Sequence, residues 1–387
     1  MARIVHINTV ADTFTGVGSV MASLAACQRR QGLDVSIAAG YVRPKYGTFA
    51  DYIMCGRLRH SLAALEARIR ANDGHLCRHA TERLTAWLDS LGDVAALHLH
   101  NLHGYYIDVP TLMAWAWQHK VRTVVTMHDQ WWCTGRCAYM HRECDSDCHQ
   151  CMFGKSYPAT WRSDGGNTAD ERVRRRDFAR IMARTVAHFV APSQGIADLA
   201  SERLGIRVSV IPNGVDTAIF HPDRIADDTD NAVYVVAVAA TWTPAKGREM
   251  LRAVAESLPE NWRLTVVGNG APVKASENIR VIASATPEAL ASIYRSADVL
   301  LSTATSEAFG MTVAEALACG VPAVVNEATV TSELIAEGIN GFSIPMDTSR
   351  PLDVIRALEQ AAILRKACPL TALTAERMAD AYSQLYF

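Results

Sequence analysis

Long apolar segments, low-complexity runs and a strong excess of one charge are all missing from this sequence. No stretch of about eighteen consecutive apolar residues occurs, so we expect no membrane-spanning helix. The first residues, MARIVHINTV, lack the basic and apolar regions of a secretory signal. The formal net charge of −2 gives no reason to expect a nucleic-acid partner. We therefore expect a soluble, cytoplasmic protein.

The length and composition favour two folded domains. With 387 residues the chain is too long for one ordinary domain and long enough for two, each with its own core. Hydrophobic residues make up 49% of the chain and charged residues 20%, which is typical of globular proteins rather than disordered ones.

Short β-rich runs alternate with longer helical stretches, a pattern typical of parallel sheets covered by helices. The predicted strands are 2–8, 34–40, 95–101, 121–128, 188–193 and 208–213, and then 232–240, 264–270, 279–284, 298–303 and 322–327. Because the series restarts after a polar, Asp-rich stretch at 221–232, we predict two α/β lobes that face each other across a cleft. Loops after the strands should carry the chemistry, since ligands of open α/β sheets bind at that edge.

The predicted domains follow from this division. We expect an N-terminal domain over 1–218 with a cysteine-rich insertion at 133–151, and a C-terminal domain over 219–368. The last segment, 369–387, is predicted to contain a helix. This helix could pack on either lobe, and we predict that it packs on the N-terminal lobe.

Two carboxylates stand out in the segment STATSEAFGMTVAEALACG (302–320). Glu307 lies in a loop after a predicted strand, and Glu315 lies in a predicted helix that starts near Met311. Ionised carboxylates accept strong hydrogen bonds from sugar and ribose hydroxyls, and a helix N-terminus favours phosphate. The alternative is structural, because Thr312 and Glu315 have the spacing of a capping box.

The same segment resembles the retaining glycosyltransferases of the GT-B fold, in particular glycosyltransferase family 4 and its members that make exopolysaccharides such as colanic acid. The matching residues are Glu307, Phe309, Gly310, Glu315, Ala316, Ala318, Gly320 and Pro322. Further matches are IPNGVD (211–216), PAKG (244–247), VVGNG (266–270) and IYRSADVLL (293–301).

The resemblance implies transfer of a hexosyl group, with retention of configuration, from a UDP- or GDP-sugar to a saccharide or lipid-linked acceptor. It implies that Lys246 contacts the donor phosphates, Glu307 the transferred sugar and Glu315 the ribose, with no metal required for catalysis. The donor-binding residues that it implies are Gly16, Gly18, Thr241, Arg248, Gly268, Phe309, Gly310, Met311 and Thr312.

Two departures from the family pattern affect the diphosphate site. Thr241 stands where the family often has an arginine, so either the diphosphate site lacks this cation or another residue such as Arg248 supplies it. The family's Gly-Gly pair is also missing before Glu333. A catalytically weak nucleotide-sugar-binding protein is therefore one alternative function, and an epimerase or phosphorylase of similar architecture is another.

The N-terminal lobe contributes glycines and histidines. Gly16 and Gly18 follow the first predicted strand; a tight turn is one explanation, and the resemblance implies a loop against the donor diphosphate. Histidines occur at the ends of two later strands, and the resemblance favours His128, with Asp129 beside it, over His100 and His103 as the histidine near the sugar.

Four cysteines, Cys137, Cys144, Cys148 and Cys151, are spaced C-x6-C-x3-C-x2-C. Four thiolates suit a tetrahedral, structural zinc, and the alternative is four reduced thiols in a loop. A separate arginine-rich segment, 171–184, places Arg172, Arg176 and Arg180 on one helical face. This face is either simply solvated, or it contacts anionic lipid at the inner membrane or a lipid-diphosphate acceptor.

Overall fold

Each half of the chain forms its own parallel sheet with helices around it. The computed structural model describes residues 3–70, 72–139, 158–159, 161, 168–222, 232–364 and 372–387. The chain divides into two units: Met1–Pro212 with Glu376–Phe387 form the first, and Asn213–Ala375 form the second. The predicted α/β class is confirmed.

The first unit contains, among the residues that the structure describes, a seven-stranded parallel sheet of order β3-β2-β1-β4-β5-β6-β7. Its strands are β1 (Arg3–Asn8), β2 (Asp34–Ala39), β3 (Tyr52–Ile53), β4 (Val94–Leu99), β5 (Arg122–Thr126), β6 (Ala187–Ala191) and β7 (Val208–Val210). Its helices include α1 (Gly16–Arg30), α2 (Arg57–Arg70), α3 (Arg78–Ser90), α4 (Val109–Gln118), α5 (Thr168–Thr185) and α6 (Gln194–Leu204).

The second unit has a six-stranded parallel sheet in its described part, with the order β10-β9-β8-β11-β12-β13. Its strands are β8 (Val233–Thr241), β9 (Trp262–Asn269), β10 (Ile279–Ile282), β11 (Val299–Ser302), β12 (Ala323–Asn326) and β13 (Gly341–Ile344). Its helices are α7 (Arg248–Glu256), α8 (Pro287–Arg295), α9 (Met311–Ala318) and α10 (Pro351–Ala362), besides 3-10 turns at Pro244–Lys246 and Val330–Leu334.

Local sequence explains most of these elements. Helices cover the sheets, so the central strands are apolar runs, and β12 is buried along its whole length. Thr15, Ser193 and Thr286 each begin a helix by accepting a hydrogen bond from the N–H group three residues later. Only two short edge strands of the described sheets were not predicted, β3 with two residues and β13 with four.

The last helix, α11 (Ala375–Tyr386), belongs almost entirely to the first unit. Tyr382 and Tyr386 are buried there, and Glu376 forms an ion pair with Arg30 of α1 at 2.8 Å. The chain enters the second unit at Asn213, a few residues before the predicted boundary at 218.

The strand order reverses at the first strand of each sheet. Strands β2 and β4 flank β1, and β9 and β11 flank β8. Connections leave such a point in opposite directions, which opens a crevice at the carboxyl ends of the strands. None of the helices in the described ranges is both long and apolar enough to cross a bilayer.

Candidate active site

Two loops at the reversal point of the second sheet are hydrogen-bonded to each other. One follows β8 and contains Lys246, and the other follows β11 and contains Glu307. The Thr305 N–H donates to the Ala245 carbonyl at 2.9 Å, and Lys246 Nζ forms an ion pair with Glu307 Oε1. Both side chains remain partly exposed, so a ligand can reach them. Lys246, predicted at the donor phosphates, and Glu307, predicted at the transferred sugar, therefore lie in one charged site.

Gly247 is required for this loop geometry. Its φ is +67°, and a Cβ there would lie 1.7 Å from the Thr303 carbonyl oxygen. The Thr303 hydroxyl donates to the Lys246 carbonyl at 3.0 Å, which ties the end of β11 to the same loop. A larger residue at this position would displace the backbone that carries Lys246.

The next element in the site is the N-terminus of α9. Gly310, at φ +98°, is the N-cap, and the Val313 and Ala314 N–H groups both donate to its carbonyl. Met311 and Thr312 form the first turn, where backbone N–H groups have no partner within the helix. The capping-box interpretation of Thr312 is wrong, because Thr312 lies inside the helix rather than at its N-cap.

Glu315 faces the protein interior from α9 and is only 8% exposed. The Tyr294 hydroxyl donates to its Oε2 at 3.2 Å. Burial raises the pKa of Glu315 to about 8, although this hydrogen bond opposes the shift. Without a ligand, Glu315 is therefore largely protonated at neutral pH.

The remaining predicted residues of the second unit occupy different places. Thr241 is exposed at the end of β8, and Gly268 lies near the end of β9, where a Cβ would be 1.8 Å from the Ala239 carbonyl oxygen. Arg248 opens α7, and its Nε lies 3.6 Å from a carboxylate oxygen of Glu249. Phe309 is buried in the hydrophobic core, so its side chain contributes to packing.

In the first unit, the loop after β1 begins α1 at Gly16. The Thr15 hydroxyl caps the helix by accepting the Gly18 N–H at 3.1 Å, and a Cβ on Gly18 would lie 1.9 Å from the Asp12 carbonyl oxygen. Asp12 also forms a two-contact ion pair with Arg43, at 2.8 and 2.5 Å. This arginine beside the glycine loop was missed, because its pairing across the sheet edge leaves no local pattern in the sequence.

The histidines of the first unit gather after β4 and β5. His128 Nε2 lies 2.9 Å from His100 Nδ1, and His100 Nε2 lies 3.0 Å from Nδ1 of His6, a residue of β1 that the sequence analysis did not single out. Nearby, His103 Nε2 donates to Asp129 Oδ2 at 2.5 Å. His128 and His100 are thus brought together, whereas His103 pairs with Asp129.

Burial controls the charge of these rings. It lowers the pKa of His6 and of His128 to about 4, and lowers the pKa values of His98 and His100 well below their usual range. Burial acts in the same direction on His103, but the Asp129 carboxylate outweighs it and raises the pKa of His103. The site therefore holds neutral histidines beside one histidine–carboxylate pair at neutral pH.

Comparisons with known proteins show the family to which this chain belongs. Residues 14–219 match the model of Glycosyltransferase Family 4, and residues 221–367 match that of glycosyl transferases group 1. The chain belongs to glycosyltransferase family 4. The expectation of a glycosyltransferase of the GT-B fold is confirmed.

The curated relatives match parts of this chain. It is 26% identical over 255 residues to the putative colanic acid biosynthesis glycosyl transferase WcaC of Escherichia coli, covering 62% of this chain and 61% of that protein. It is 31% identical to a D-inositol 3-phosphate glycosyltransferase of Xylanimonas cellulosilytica, covering 39% and 43%. The chain thus spans less than two thirds of the length of these relatives.

Solved structures share the fold over the whole chain. Sucrose-phosphate synthase of Thermosynechococcus elongatus has a TM-score of 0.68 at 14% identity, covering 100% of this chain and 98% of that one. Anabaena HepE in complex with UDP-glucose has a TM-score of 0.66 at 13% identity, covering 99% of each chain.

Two predictions concern residues that the structure describes only in part. Cys144, Cys148 and Cys151 are outside the described residues, whereas Cys137 is described and buried, so the zinc site stays a prediction. The arginine-rich segment forms α5. There Arg175 is buried over the Trp131 ring at 3.7 Å from its centre.

Acidification should destabilise the first unit. Unfolded histidines bind a proton near pH 6.5, whereas native His6 and His128 do so near pH 4. Their contribution to the free energy of unfolding is fully present above pH 6.5 and is lost as the pH falls from 6.5 towards 4. We expect a loss of up to about 1.4 kcal/mol per pH unit for each buried neutral histidine. Urea unfolding at about pH 7 and pH 5 measures it.

Three groups with raised pKa values act against this effect: Glu315, His103 and Asp73, a buried carboxyl of the first unit. Glu315 stabilises the second unit as the pH falls below 8, so a Glu315→Gln background isolates the histidine contribution. The pKa of His103 is raised above 6.5, so its contribution to the free energy of unfolding is fully present below pH 6.5 and changes only above it. Rings of His98 and His100 that titrate near pH 6.5 by NMR would contradict the prediction.

Proposed function

We propose that this family 4 enzyme transfers a hexosyl group from a nucleoside-diphosphate sugar to an acceptor hydroxyl, with retention of configuration, in polysaccharide or glycoconjugate synthesis. The observation that carries the proposal is the Lys246–Glu307 ion pair at the reversal point of the second sheet. The UDP-glucose bound by HepE and the colanic acid role in the name of WcaC agree with this donor and this pathway class.

In this proposal the donor's charged groups meet the second unit. Lys246 contacts the diphosphate, where the N–H groups of the first turn of α9 add favourable dipoles. The diphosphate displaces the Lys246 ammonium from Glu307, whose carboxylate then accepts hydrogen bonds from hydroxyls of the transferred sugar. These fixed charges stabilise the leaving diphosphate without a requirement for a divalent cation.

The first unit supplies the remaining contacts in the same proposal. The glycine loop at Gly16 and Gly18 approaches the diphosphate, with Arg43 as a nearby cation held by Asp12. His128, neutral at pH 7, contacts a hydroxyl of the sugar. The acceptor is a saccharide or a lipid-linked sugar.

Lys246→Ala should lower turnover by at least about tenfold. A charge-assisted hydrogen bond contributes roughly 1.5–3 kcal/mol, and 1.4 kcal/mol corresponds to one factor of ten in rate. Release of nucleoside diphosphate from UDP- and GDP-hexoses measures it. The matched control is Lys274→Ala, which replaces an exposed lysine of the same unit and should leave turnover nearly unchanged.

Near-normal turnover of a folded Lys246→Ala protein would remove Lys246 from the diphosphate site and make Arg248 the next candidate. The same assay tests the alternative function. A wild-type protein that binds the nucleotide but releases no product from any donor would be a binding protein, the interpretation that the exposed Thr241 favours.

Nucleotide affinity should depend on the protonation of Glu315. Ribose hydroxyls bind the ionised carboxylate, but the pKa of about 8 leaves Glu315 mostly protonated at pH 7. Affinity for the nucleoside diphosphate should rise up to about fivefold from pH 7 to pH 8 and up to about tenfold from pH 7 to pH 9, and level off above that. Calorimetry at pH 7, in two buffers of different ionisation enthalpy, should detect proton release on binding.

Glu315→Gln provides the control, because an amide does not titrate in this range. Its affinity should be flat between pH 7 and pH 9. Equal slopes for the wild type and Glu315→Gln would show that another group titrates and would exclude this role for Glu315.

We also propose a peripheral contact with anionic lipid at the inner face of the membrane. A cavity of about 1200 Å³ opens at the amino ends of β5 and β6, away from His128 at the carboxyl end of β5. Among the described residues that line it there is no aspartate or glutamate, and the basic ones are Lys120, Arg122, Arg180, Arg184, His188 and Arg207. The exposed Trp117 lies at the same cavity, and tryptophan with lysine and arginine is typical of membrane interfaces.

Charge reversal at this cavity should release the protein from membranes. Arg122→Glu combined with Arg184→Glu should reduce binding to vesicles of phosphatidylglycerol and phosphatidylcholine by at least about tenfold, since each cation near such a surface contributes about 1 kcal/mol. Co-sedimentation measures the bound fraction. Arg280→Glu, an exposed arginine of the second unit, is the control. Equal binding by all three proteins would reject this surface.

A further inference from the structure

The neutral histidines belong to one continuous chain of buried hydrogen bonds. From His128 the chain passes to His100 and His6, as described above. It continues from His6 Nε2 to Gln28 Oε1 at 2.8 Å, and from Gln28 Nε2 to the Tyr386 hydroxyl at 3.0 Å. The first arm therefore runs from His128, past the end of β4 and through β1, to an amide in α1.

A second arm leaves the same amide. The Tyr386 hydroxyl lies 2.7 Å from His98 Nδ1, and His98 Nε2 lies 2.8 Å from the Thr126 hydroxyl. Thr126 is in turn 2.9 Å from the hydroxyl of Tyr382. Every member of both arms is at most 2% exposed, except His128, which is 8% exposed.

The direction of one bond determines the direction of its neighbours. A neutral imidazole has one N–H donor and one acceptor nitrogen, so a ring that accepts on one side must donate on the other. Because Gln28 Oε1 can only accept, His6 donates from Nε2 and accepts at Nδ1. His100 then donates from Nε2 to His6 and accepts at Nδ1 from His128, which must carry its proton on Nε2.

The second arm gives the same tautomer. The Gln28 Nε2 group donates to Tyr386, whose hydroxyl donates to His98 Nδ1. His98 therefore carries its proton on Nε2 and donates to Thr126. All four rings thus share the Nε2–H tautomer, and a reversed Gln28 amide would convert all four to Nδ1–H.

We propose that Gln28 is a positioning residue, which holds His128 as the Nε2–H tautomer and so keeps Nδ1 as an acceptor for a ligand hydroxyl. Gln28 acts through His6 and His100 and touches no substrate itself. The effect of Gln28 on turnover rests on the proposed function, in which His128 contacts the sugar. Its effect on the His128 tautomer does not depend on that function.

A metal ion is the other use that three clustered histidines suggest, since ring nitrogens of His6, His98 and His100 lie within 4.8 Å of one another. All six ring nitrogens of these residues already have a hydrogen-bond partner. A metal would have to break several of these bonds, so the geometry favours the hydrogen-bonded network.

Tautomers can be read directly by NMR of the full chain with ¹⁵N-labelled histidine, because protonated and unprotonated ring nitrogens differ widely in chemical shift. In the wild type we expect a single Nε2–H state for His6, His98, His100 and His128, each assigned by substitution. A wild-type His128 that carries its proton on Nδ1, or a mixture of both tautomers, would overturn the proposal without any variant.

Gln28→Met removes both amide groups at similar volume, and Tyr386→Phe is the matched control. Each variant loses buried hydrogen bonds of the same network, but Tyr386→Phe keeps the bond from His6 to Gln28. We expect mixed tautomers of His128, and a kcat about threefold to tenfold lower, in Gln28→Met, with KM for the donor nearly unchanged. Tyr386→Phe should keep the Nε2–H state and most of the turnover.

The outcomes separate this proposal from the proposed function. An unchanged His128 tautomer in Gln28→Met, or equal effects of the two variants, would mean that the amide has only a structural role. His128→Ala tests the other link. Unchanged turnover in that variant would refute the role of His128 in transfer, and the tautomer spectra would still decide whether Gln28 controls the ring.

Discussion

The loops that leave two neighbouring parallel strands at a reversal of strand order must turn in opposite directions, and the residues at their starts remain together at the sheet edge. In the second unit this constraint places the loops after β8 and β11 side by side, so Lys246 meets Glu307 although sixty-one positions separate them. Gly247 permits the close approach, because its φ of +67° and its missing Cβ leave room for the backbone at Thr303. The geometry of the candidate donor site therefore depends on the sheet topology and on one glycine.

The first unit meets a different requirement, since it buries polar rings where water cannot solvate them. Unpaired polar groups in such a place cost roughly 1–3 kcal/mol each. The rings of His6, His98 and His100 avoid this cost because every ring nitrogen has a partner. The same burial keeps them uncharged, and it makes each hydrogen bond dependent on its neighbours.

The sequence predicted the elements that carry a local pattern and missed those that depend on contacts between distant segments. Apolar runs located the long strands, and the motif around Glu307 identified the family. Thr312 and Glu315 have the spacing of a capping box, yet the backbone at Gly310 begins the helix earlier, which a spacing rule does not detect. His6 and Gln28 lie inside an ordinary strand and an ordinary helix. Their roles follow from strand register and from the packing of α11, and no local sequence pattern predicts either of these.

The return of α11 to the first unit has a consequence for how the chain folds during its synthesis. Residues 213–375 form a continuous unit that can fold as soon as it leaves the ribosome. The unit that is made first lacks the buried Tyr382 and Tyr386 until α11 has emerged. The buried hydroxyls of α11 are then the partners that His98 and Thr126 still need. The N-terminal unit therefore completes its core only after the whole of the second unit has been made.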